Sequence, residues 1–259
     1  MKQDERLLFD RSLQRARLSA YASGEYVGQE SFMRAGEILS LAARAGIGPG
    51  VSVLDLCCGV AGPGRLITSE LGCTYLGVDS SASAVGLARK RCADLSCRFE
   101  VARIPPVPPG PFDVVLLLET LLAFADKERL LRSIVSALPR GGRLGFTVEE
   151  GQPLTDAEEV AMPDSDTVWL VPLPDLISCL ERVGLEVRWM EECSASHRST
   201  VDRLIDAFVT EEPAIVADLG RRPLDDLLTA HRLWSDWLSS GRVRKFAVVA
   251  VNVEAPVGR

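Results

Sequence analysis

The chain has 259 residues, 47% of them hydrophobic and 25% charged, with a formal net charge of −7 at pH 7, a composition typical of one ordinary globular domain. The acidic charge disfavours a nucleic-acid partner, and no apolar stretch approaches the ~20 residues that a membrane-spanning helix needs. Residues 1–17 lack the apolar core of a secretory signal, and the seven cysteines lack metal-type spacing and suit reduced thiols, so we expect a cytoplasmic monomer or homodimer without a metal.

From residue 51 onward, apolar runs bounded by turn residues alternate with segments of helical periodicity. The runs predict strands at 51–56, 74–79, 97–101, 112–118, 142–149, 185–192 and 245–253. Helical spacing predicts helices at 31–45, 65–71, 82–93, 127–138 and 173–183. The alternation predicts an α/β, Rossmann-like fold with a seven-stranded, mostly parallel sheet and helices on both faces.

Residues 194–242 interrupt this alternation. Apolar residues at helical spacing, such as Val201, Leu204 and Leu228, predict helices there. The segment is too long for an ordinary connection, so we predict a helical cap over the ligand-binding edge of the sheet, with a purely structural helical pair as the alternative. The predicted single domain over 1–259 comprises an N-terminal lid with helices at 1–45, a Rossmann-like core at 50–193 and 243–254, and the cap at 194–242.

An acidic residue ends each of the first two predicted strands. Asp55 precedes a turn of small residues, where Gly59 and Gly62 leave the backbone accessible to a ligand. Asp79 ends the next strand and is placed to accept hydrogen bonds from both hydroxyls of a ribose. A dinucleotide site would bring a pyrophosphate to this turn, where Asp55 would repel it. The pair therefore favours a cationic nucleoside without phosphate.

Four motifs in this order resemble those of the class I S-adenosylmethionine-dependent methyltransferases, in particular the bacterial branch that modifies small molecules in specialised metabolism. The motifs are Val53-Leu-Asp-Leu-Cys-Cys-Gly59, Gly77-Val-Asp-Ser-Ser81, Phe112-Asp-Val-Val115 and Leu138-Pro-Arg-Gly-Gly142. The resemblance implies S-adenosyl-L-methionine as the cofactor. The residues it implies are Asp55, Cys57, Gly59 and Gly62 around the methionine part, Asp79 at the ribose, Ser80, Ala102 and Arg103 at the adenine, and Glu119.

The sequence departs from the family pattern at three places. Cys57 and Ala61 replace glycines, so we expect the backbone there to avoid the conformations that only glycine accepts easily. No acidic residue for the adenine amino group stands at Val101 or Ala102. Leu122 lies in the region where many relatives carry a histidine after the fourth strand, so a catalytic base must come from elsewhere.

The methyl acceptor is expected outside the carboxyl ends of the strands. Glu119 ends the very apolar fourth strand, and His197 is one of only two histidines, a residue type that suits a base near neutral pH. These two residues, with Tyr21 and Tyr26 of the lid, are the predicted catalytic set. Helix capping by Glu119 and structural packing by the others are the alternatives.

Aromatic residues outside the core motifs predict an acceptor pocket that stacks on a flat ligand. The predicted walls are Tyr21, Tyr26, Trp169 and Trp189, for which core packing is the alternative. His231 is expected only to pack within an amphipathic helix. The acceptor class that follows is a compact aromatic or amine-bearing metabolite, such as an indole, phenol or alkaloid, methylated on carbon, nitrogen or oxygen.

Three other classes compete with a small-molecule enzyme. Nucleic-acid amino methyltransferases place a proline-rich aromatic turn after the fourth strand, whereas this chain has Glu119-Thr-Leu-Leu122 there. No motif separates the chain from protein methyltransferases, but the helical insertion favours an enclosed pocket. A cyclase or binding protein of the same fold would hold S-adenosylmethionine without transferring its methyl group. Release of S-adenosylhomocysteine in the presence of candidate acceptors separates these possibilities.

Overall fold

The computed structural model describes residues 11–253, whose strands form one seven-stranded sheet. The strands are β1 (Ser52–Leu56), β2 (Thr74–Asp79), β3 (Cys97–Val101), β4 (Val114–Leu117), β5 (Arg143–Glu150), β6 (Leu185–Glu192) and β7 (Arg244–Asn252). Their order is β3-β2-β1-β4-β5-β7-β6, and β7 alone runs antiparallel to its neighbours. The predicted Rossmann-like, mostly parallel sheet is confirmed.

The helices predicted at 31–45, 65–71, 82–93, 127–138 and 173–183 are confirmed, and a short helix at 156–161 lies outside the predicted set. Together the described helices cover both faces of the sheet. They are α1 (Arg11–Ala20), α2 (Ala35–Arg44), α3 (Gly62–Leu71), α4 (Ala82–Arg91), α5 (Lys127–Ala137), α6 (Asp156–Ala161), α7 (Leu173–Arg182), α8 (Ser194–Thr210), α9 (Glu212–Leu219) and α10 (Arg221–Ser240). Within residues 11–253, no helix is both long and apolar enough to cross a bilayer.

The centre of the sheet is buried from both sides. All four residues of β4 are buried, and apolar clusters lie on either face of the sheet. This double coverage explains why β4 reads as a continuous apolar run rather than an alternating one. One cluster includes Leu130 and Ile134 of α5, whose first turn is capped by the Asp126 side chain accepting from Arg129 N at 2.9 Å. Polar residues can therefore gather only at the strand ends.

The insertion between β6 and β7 consists of three helices, α8, α9 and α10. With α1 they form an apolar cluster of their own, which includes Leu13, Leu204, Phe208 and Leu228. The helical content of the predicted insertion is confirmed, and the N-terminal α1 packs against it rather than against the sheet core. The division of the chain into lid, core and cap stays a prediction.

Candidate functional site

Two cavities of about 280 Å³ each lie at the carboxyl ends of the central strands. The β2 cavity is lined by the ends of β1 and β2 and by the turn before α3. The cap cavity is lined by α1, the ends of β4 and β5, and the helices α8 and α10. Glu119 and residues 29–31 line both cavities. The two spaces therefore share one wall, and Glu119 is its strand-end carboxylate.

Asp79 fixes the geometry of the β2 cavity. Its Oδ2 accepts a hydrogen bond from Gly59 N at 2.9 Å, and its Oδ1 accepts one from Ser81 N at 2.8 Å. Gly59 has a positive φ of 53°, and a Cβ there would meet nothing within 4 Å. The turn thus presents bare backbone to open space beside an oriented carboxylate.

Asp55 lies deeper in the same cavity and is almost fully buried. The Tyr75 hydroxyl donates to its Oδ2, and Gly64 makes room for that ring because a Cβ at Gly64 would collide with it. Burial raises the pKa of Asp55 to about 7, although the bond from Tyr75 acts in the opposite direction. A cationic group placed beside Asp55 would favour its ionised form.

The expectation that the turn avoids glycine-like conformations is wrong. Cys57 and Ala61 both have a φ of 59°. The chain reverses there from strand into helix, and the turn is held by hydrogen bonds from Cys58 N to Val78 O and from Ala61 N to Cys58 O, each 3.0 Å long. Non-glycine residues in this region cost about 1–3 kcal/mol each, so the surrounding sheet over-determines the turn.

Gly62 has a second role besides the one implied by the resemblance. It lines the β2 cavity, but a Cβ there would lie 2.7 Å from Val27 O. Glycine is therefore needed so that the N-terminal segment can cross the start of α3. Residues 28–31 then form one wall of the β2 cavity.

The three residues implied at the adenine do not line the β2 cavity. Ser80 and Arg103 are exposed, and Ala102 reaches the site only through its N–H, which donates to Asp79 O at 2.9 Å. Ser81 and Ala84 line the cavity at this end instead. The adenine contacts stay a prediction, with Ser81 and Ala84 better placed than the residues taken from the motif.

The β2 cavity fits S-adenosylmethionine in its chemistry. Two carboxylates, Asp55 and Asp79, face a space with no basic side chain among its described lining residues, which suits hydroxyl and ammonium groups and disfavours phosphate. The Thr120 Oγ1 lines the same space, and it is buried without a hydrogen-bond partner among residues 11–253. A buried hydroxyl of this kind is available to a polar ligand.

The cap cavity combines aromatic walls with carboxylates. The aromatic lining residues are Tyr21, Phe32, His231 and Trp234, and the charged ones are Arg17, Glu30, Glu119 and Glu149. Arg17 Nη1 pairs with Glu30 Oε1 at 2.5 Å. Glu119 and Glu149 are therefore the acids that no arginine of the lining offsets.

A buried lysine lies between these two acids. Lys245 is 2% exposed; its Nζ is 2.7 Å from Glu119 Oε1 and also bonds Glu149 Oε1. Burial raises the pKa of Glu149, whereas for Glu119 the ammonium and His197 outweigh burial and lower the pKa. Two carboxylates on one ammonium leave one negative charge when both acids are ionised. Glu149 Oε2 is buried without a hydrogen-bond partner in the described chain.

Glu119 is held in a strained backbone conformation. Its φ is 59°, and its N–H donates to Thr147 Oγ1 at 2.7 Å. Strain of this kind persists only where neighbours enforce it, and it clusters at functional sites. The strain and the bond to Thr147 direct the carboxylate to the wall between the two cavities.

His197 does not line the cap cavity, which corrects its prediction as a base that touches the acceptor. The ring is 1% exposed and lies behind Glu119, with Nδ1 3.9 Å from Glu119 Oε2. Burial lowers the pKa of His197 although Glu119 opposes the change. The residue sits within the first turn of α8, which packs it into the interior.

Only one of the two lid tyrosines lines the cap cavity. Tyr21 lines the cap cavity, and its hydroxyl donates to Ser31 O at 2.5 Å. Tyr26 stacks behind it at a ring-centroid distance of 5.4 Å and donates to Gln14 Oε1. Tyr26 is absent from the walls of both cavities, so the structure places it apart from the predicted pocket and catalytic residues.

Neither predicted tryptophan reaches the acceptor side. Trp169 is 47% exposed, and its indole N–H donates to Asp166 O at 2.9 Å. Trp189 packs on the core cluster with the Arg44 guanidinium 5.5 Å from its ring, since it points to the face of β6 away from the cap. Trp234 and His231 of α10 take that place.

His231 packs against neighbouring aromatic rings and also lines the cap cavity. Its ring packs edge-on against Phe32 and Phe208 at 5.6 and 5.2 Å, as a packing residue would, yet it also lines the cavity. Its Nδ1 lies 2.8 Å from Leu227 O; a carbonyl only accepts, so Nδ1 carries the proton and Nε2 is the acceptor. Burial lowers the pKa of His231 to about 4, which keeps the ring neutral near pH 7.

Comparisons with known proteins agree with this geometry. Residues 53–142 match a family described as "Methyltransferase domain". Phosphoethanolamine N-methyltransferase 3 of Arabidopsis thaliana is 25% identical over 185 residues, which cover 70% of this chain and 38% of that enzyme. Norajmaline N-methyltransferase of Rauvolfia serpentina is 27% identical over 158 residues, which cover 58% of this chain and 54% of that enzyme.

The fold is likewise shared with a solved structure. Phosphoethanolamine N-methyltransferase 2 of Haemonchus contortus, in complex with S-adenosyl-L-methionine, superposes with a TM-score of 0.77 at 18% identity over 92% of this chain and 56% of that one. The chain spans about two fifths of the length of the plant phosphoethanolamine enzymes it matches. The similarity therefore concerns the domain that carries the two cavities.

Proposed function

We propose that this class I S-adenosylmethionine-dependent methyltransferase domain methylates the nitrogen of a compact, amine-bearing aromatic acceptor. The observation that carries the proposal is that Glu119 lines both the β2 cavity and the cap cavity. A methyl donor in one space and an acceptor in the other would meet at this carboxylate. The volume of the cap cavity, about 280 Å³, suits a small metabolite rather than a peptide or a base within a duplex.

S-Adenosylmethionine, when bound, supplies a methyl group on a sulfonium that already makes a good leaving group. Asp79 would hold the ribose, and Asp55 would face the ammonium of the methionine part. The chain's further contribution is to orient the acceptor and exclude water. These two effects are the main contributions to the rate of an in-line displacement. The apolar cluster of α1 with α8 to α10 packs on the cap side of the site.

The charges of the cap cavity favour a cationic or amine acceptor. When both are ionised, Glu119 and Glu149 together exceed the single ammonium of Lys245 by one charge, and Arg17 is already paired with Glu30. An amine would accept this negative charge, and Tyr21 and Trp234 offer ring faces to an aromatic or cationic group. The relative whose name specifies the alkaloid norajmaline fits this description.

The same charges disfavour a phosphorylated acceptor. The names of other relatives specify phosphoethanolamine, but a phosphate in the cap cavity would face three carboxylates and one paired arginine. Repulsion by like charges in a water-poor site is stronger than in solvent. We therefore infer that the acceptor carries an amine without a phosphate.

The amine must lose a proton to be methylated as a neutral nucleophile. Glu119, ionised because Lys245 lowers its pKa despite burial, is positioned to accept that proton or to orient the N–H group. His231 Nε2 offers a second acceptor in the cavity wall. Lys245 holds Glu119 in place, and its ammonium offsets the charge of the Glu119 carboxylate when no acceptor is bound.

Incubation with S-adenosylmethionine and each of three probes tests the proposal: tryptamine, norajmaline and phosphoethanolamine. We expect S-adenosylhomocysteine release and an N-methylated product from at least one phosphate-free amine, and little from phosphoethanolamine. Preferred methylation of phosphoethanolamine would refute the inferred charge preference. Tight cofactor binding without turnover of any amine would favour the cyclase or binding-protein alternative.

A further inference from the structure

A chain of buried polar side chains leads away from the cap cavity behind Glu119. Glu119 Oε2 lies 3.9 Å from His197 Nδ1, and His197 Nε2 lies 3.7 Å from Glu37 Oε2. Glu37 lines a different cavity, an open cleft of about 490 Å³ between α2 and the start of α8. His197 is thus a bridge between an acid at the reaction site and an acid at the protein surface.

The environment of His197 suits proton transfer better than a purely structural role. Neither ring nitrogen has a hydrogen-bond partner among residues 11–253, although both are buried. A structural histidine of this kind would ordinarily have both nitrogens satisfied. The two N···O distances each exceed the length of an ordinary hydrogen bond by less than 1 Å. Catalytic hydrogen bonds are often long before substrate binds.

We propose that His197 relays the proton released by methyl transfer from Glu119 to Glu37, and so to the solvent. This inference rests on the proposed N-methylation. Nitrogen forms a bond to the methyl carbon while the carbon–sulfur bond breaks, and the nitrogen's proton goes to Glu119. His197 takes that proton at Nδ1 and gives its Nε2 proton to Glu37, which passes it to water in the cleft.

The relay returns to its starting state without another reactant. After transfer the ring carries its proton on Nδ1, and exchange with water restores the Nε2 tautomer, because Nε2 takes one proton from water and Nδ1 returns one to water. No hydrogen bond from residues 11–253 holds either ring nitrogen in one protonation state. The charge is conserved, since one proton enters from the acceptor and one leaves to solvent.

Other exits for the proton are less suited. Lys245 already carries its proton, and its two carboxylates raise its pKa despite burial. Tyr21 likewise keeps its proton because burial and Glu119 raise its pKa. Glu149 is as buried as Glu119 and opens only onto the cap cavity among those described. The path through His197 reaches a surface cleft that Glu37 lines.

A relay at neutral pH needs an imidazole that is uncharged between turnovers. Burial, Lys245 and Arg34 lower the pKa of His197, while its two carboxylates oppose them. The ionisable groups that face the ring from the elements packed around it are Arg34 and Glu37 at α2, Glu119 after β4, Lys245 on β7 and Cys193 before α8. Glu37 itself is kept ionised because bonds from Ser196 and Arg34 outweigh burial and lower its pKa.

Chemical rescue of Glu37→Ala in the full chain tests the relay. With S-adenosylmethionine and tryptamine, we expect kcat to fall by roughly 10–100-fold, within the range for acid–base groups, and to recover as formate is added through the open cleft. Glu37→Gln should lose kcat equally without rescue, because the amide fills the space. Glu191→Ala, which alters the same cleft without contacting His197, should keep the wild-type kcat.

Wild-type kcat in both Glu37 variants, or a loss in folded Glu37→Ala that formate does not restore, would overturn the relay. If Glu37→Ala does not fold, an undiminished kcat in Glu37→Gln would overturn it and a loss would support it. A separate measurement needs no acceptor: ¹⁵N NMR titration of His197, assigned with His231→Gln. Glu37→Gln and Glu119→Gln should each lower its pKa, and an unchanged value in either variant would refute the linkage even if tryptamine is not methylated.

Discussion

The β2 cavity and the cap cavity are assembled in opposite ways. Most of the β2 cavity comes from two short stretches, the turn after β1 and the end of β2 with the start of α4. The cap cavity is assembled from residues in or just after α1, β4 and β5, from one residue of α8, from residues 29–32 and from four residues of α10. A site made of contiguous segments leaves a motif in the sequence, whereas a site made by packing distant helices leaves only scattered side chains.

The two cavities also treat charge differently. In the β2 cavity the two strand-end aspartates have neutral partners: backbone N–H groups for Asp79 and the Tyr75 hydroxyl for Asp55. In the cap cavity Glu119 and Glu149 share the ammonium of Lys245. The first arrangement suits binding of hydroxyl and ammonium groups, and the second suits the handling of a proton.

Removing the charge at the shared wall should have the largest effect. Glu119→Gln keeps the shape of the side chain but cannot accept a proton, so we expect turnover of a phosphate-free amine to fall by about 10²–10⁴-fold. The cofactor dissociation constant should change little. Steady-state kinetics and calorimetry measure both quantities.

Glu150→Gln is the matched control, because Glu150 follows Glu149 but pairs with Arg244 at the surface. It should keep wild-type turnover. Equal turnover in Glu119→Gln and the wild-type protein would leave positioning alone as the account of catalysis.

The β2 cavity should respond to Asp79→Ala through binding. Loss of a carboxylate that holds the ribose should weaken S-adenosylmethionine binding by roughly 1.5–3 kcal/mol, or about 10–150-fold in the dissociation constant. Asp113→Ala removes an acid at the opposite end of the sheet, where it accepts from Ser52. Calorimetry should find the affinity of that control unchanged. An unchanged dissociation constant in folded Asp79→Ala would remove Asp79 from the site.

Replacing Trp234 and Trp169 separately tests which tryptophan contacts the acceptor. Trp234 lines the cap cavity and Trp169 does not. Trp234→Ala should lower kcat/KM for the acceptor by about 2–10-fold, the scale of a lost aromatic contact. Trp169→Ala should leave kcat/KM unchanged. The reverse order of effects would restore the original aromatic pocket and contradict the structure.

The smallest effect concerns stability at the base of the β2 cavity. Burial raises the pKa of Asp55 to about 7, whereas an unfolded aspartate titrates near ~4. The folded state therefore loses stability as pH rises through that interval, and Asp55→Asn avoids this loss. We expect Asp55→Asn to raise the thermal midpoint by a few degrees more at pH 8 than at pH 5.

Asp113→Asn provides the contrasting control for that measurement. Bonds from Ser52 lower the pKa of Asp113, so the group is ionised at both pH values and its contribution is fully present at each. Its replacement should change the midpoint equally at pH 5 and pH 8. An equal shift for Asp55→Asn would show that Asp55 titrates normally.

The sequence predicts the sheet, its flanking helices and the acids at the ends of β1 and β2 because these depend on local periodicity and contiguous motifs. It also predicts Glu119, since a carboxylate after four buried residues has no packing role. The positive φ at Cys57 and Ala61 could not be predicted, because residue preference alone argued against it. There the surrounding hydrogen bonds override the local preference.

The buried cluster on the acceptor side was missed for a physical reason. Lys245 and Glu149 stand opposite each other only because β7 runs antiparallel to β5 in a particular register. A lysine and a glutamate at the ends of two strands give no sign of that pairing. In the same way, the helical spacing of α10 marks His231 as a packing residue and does not show that the same face meets a cavity.

The proposed function requires the methyl donor in the β2 cavity to meet the acceptor at Glu119. The most direct test is NMR of the protein with S-adenosylmethionine labelled with ¹³C at the transferable methyl group. We predict nuclear Overhauser contacts from that methyl group to the side-chain protons of Glu119 and none to Trp169 or Trp189. Contacts to either tryptophan without any to Glu119 would contradict the shared wall and the function built on it.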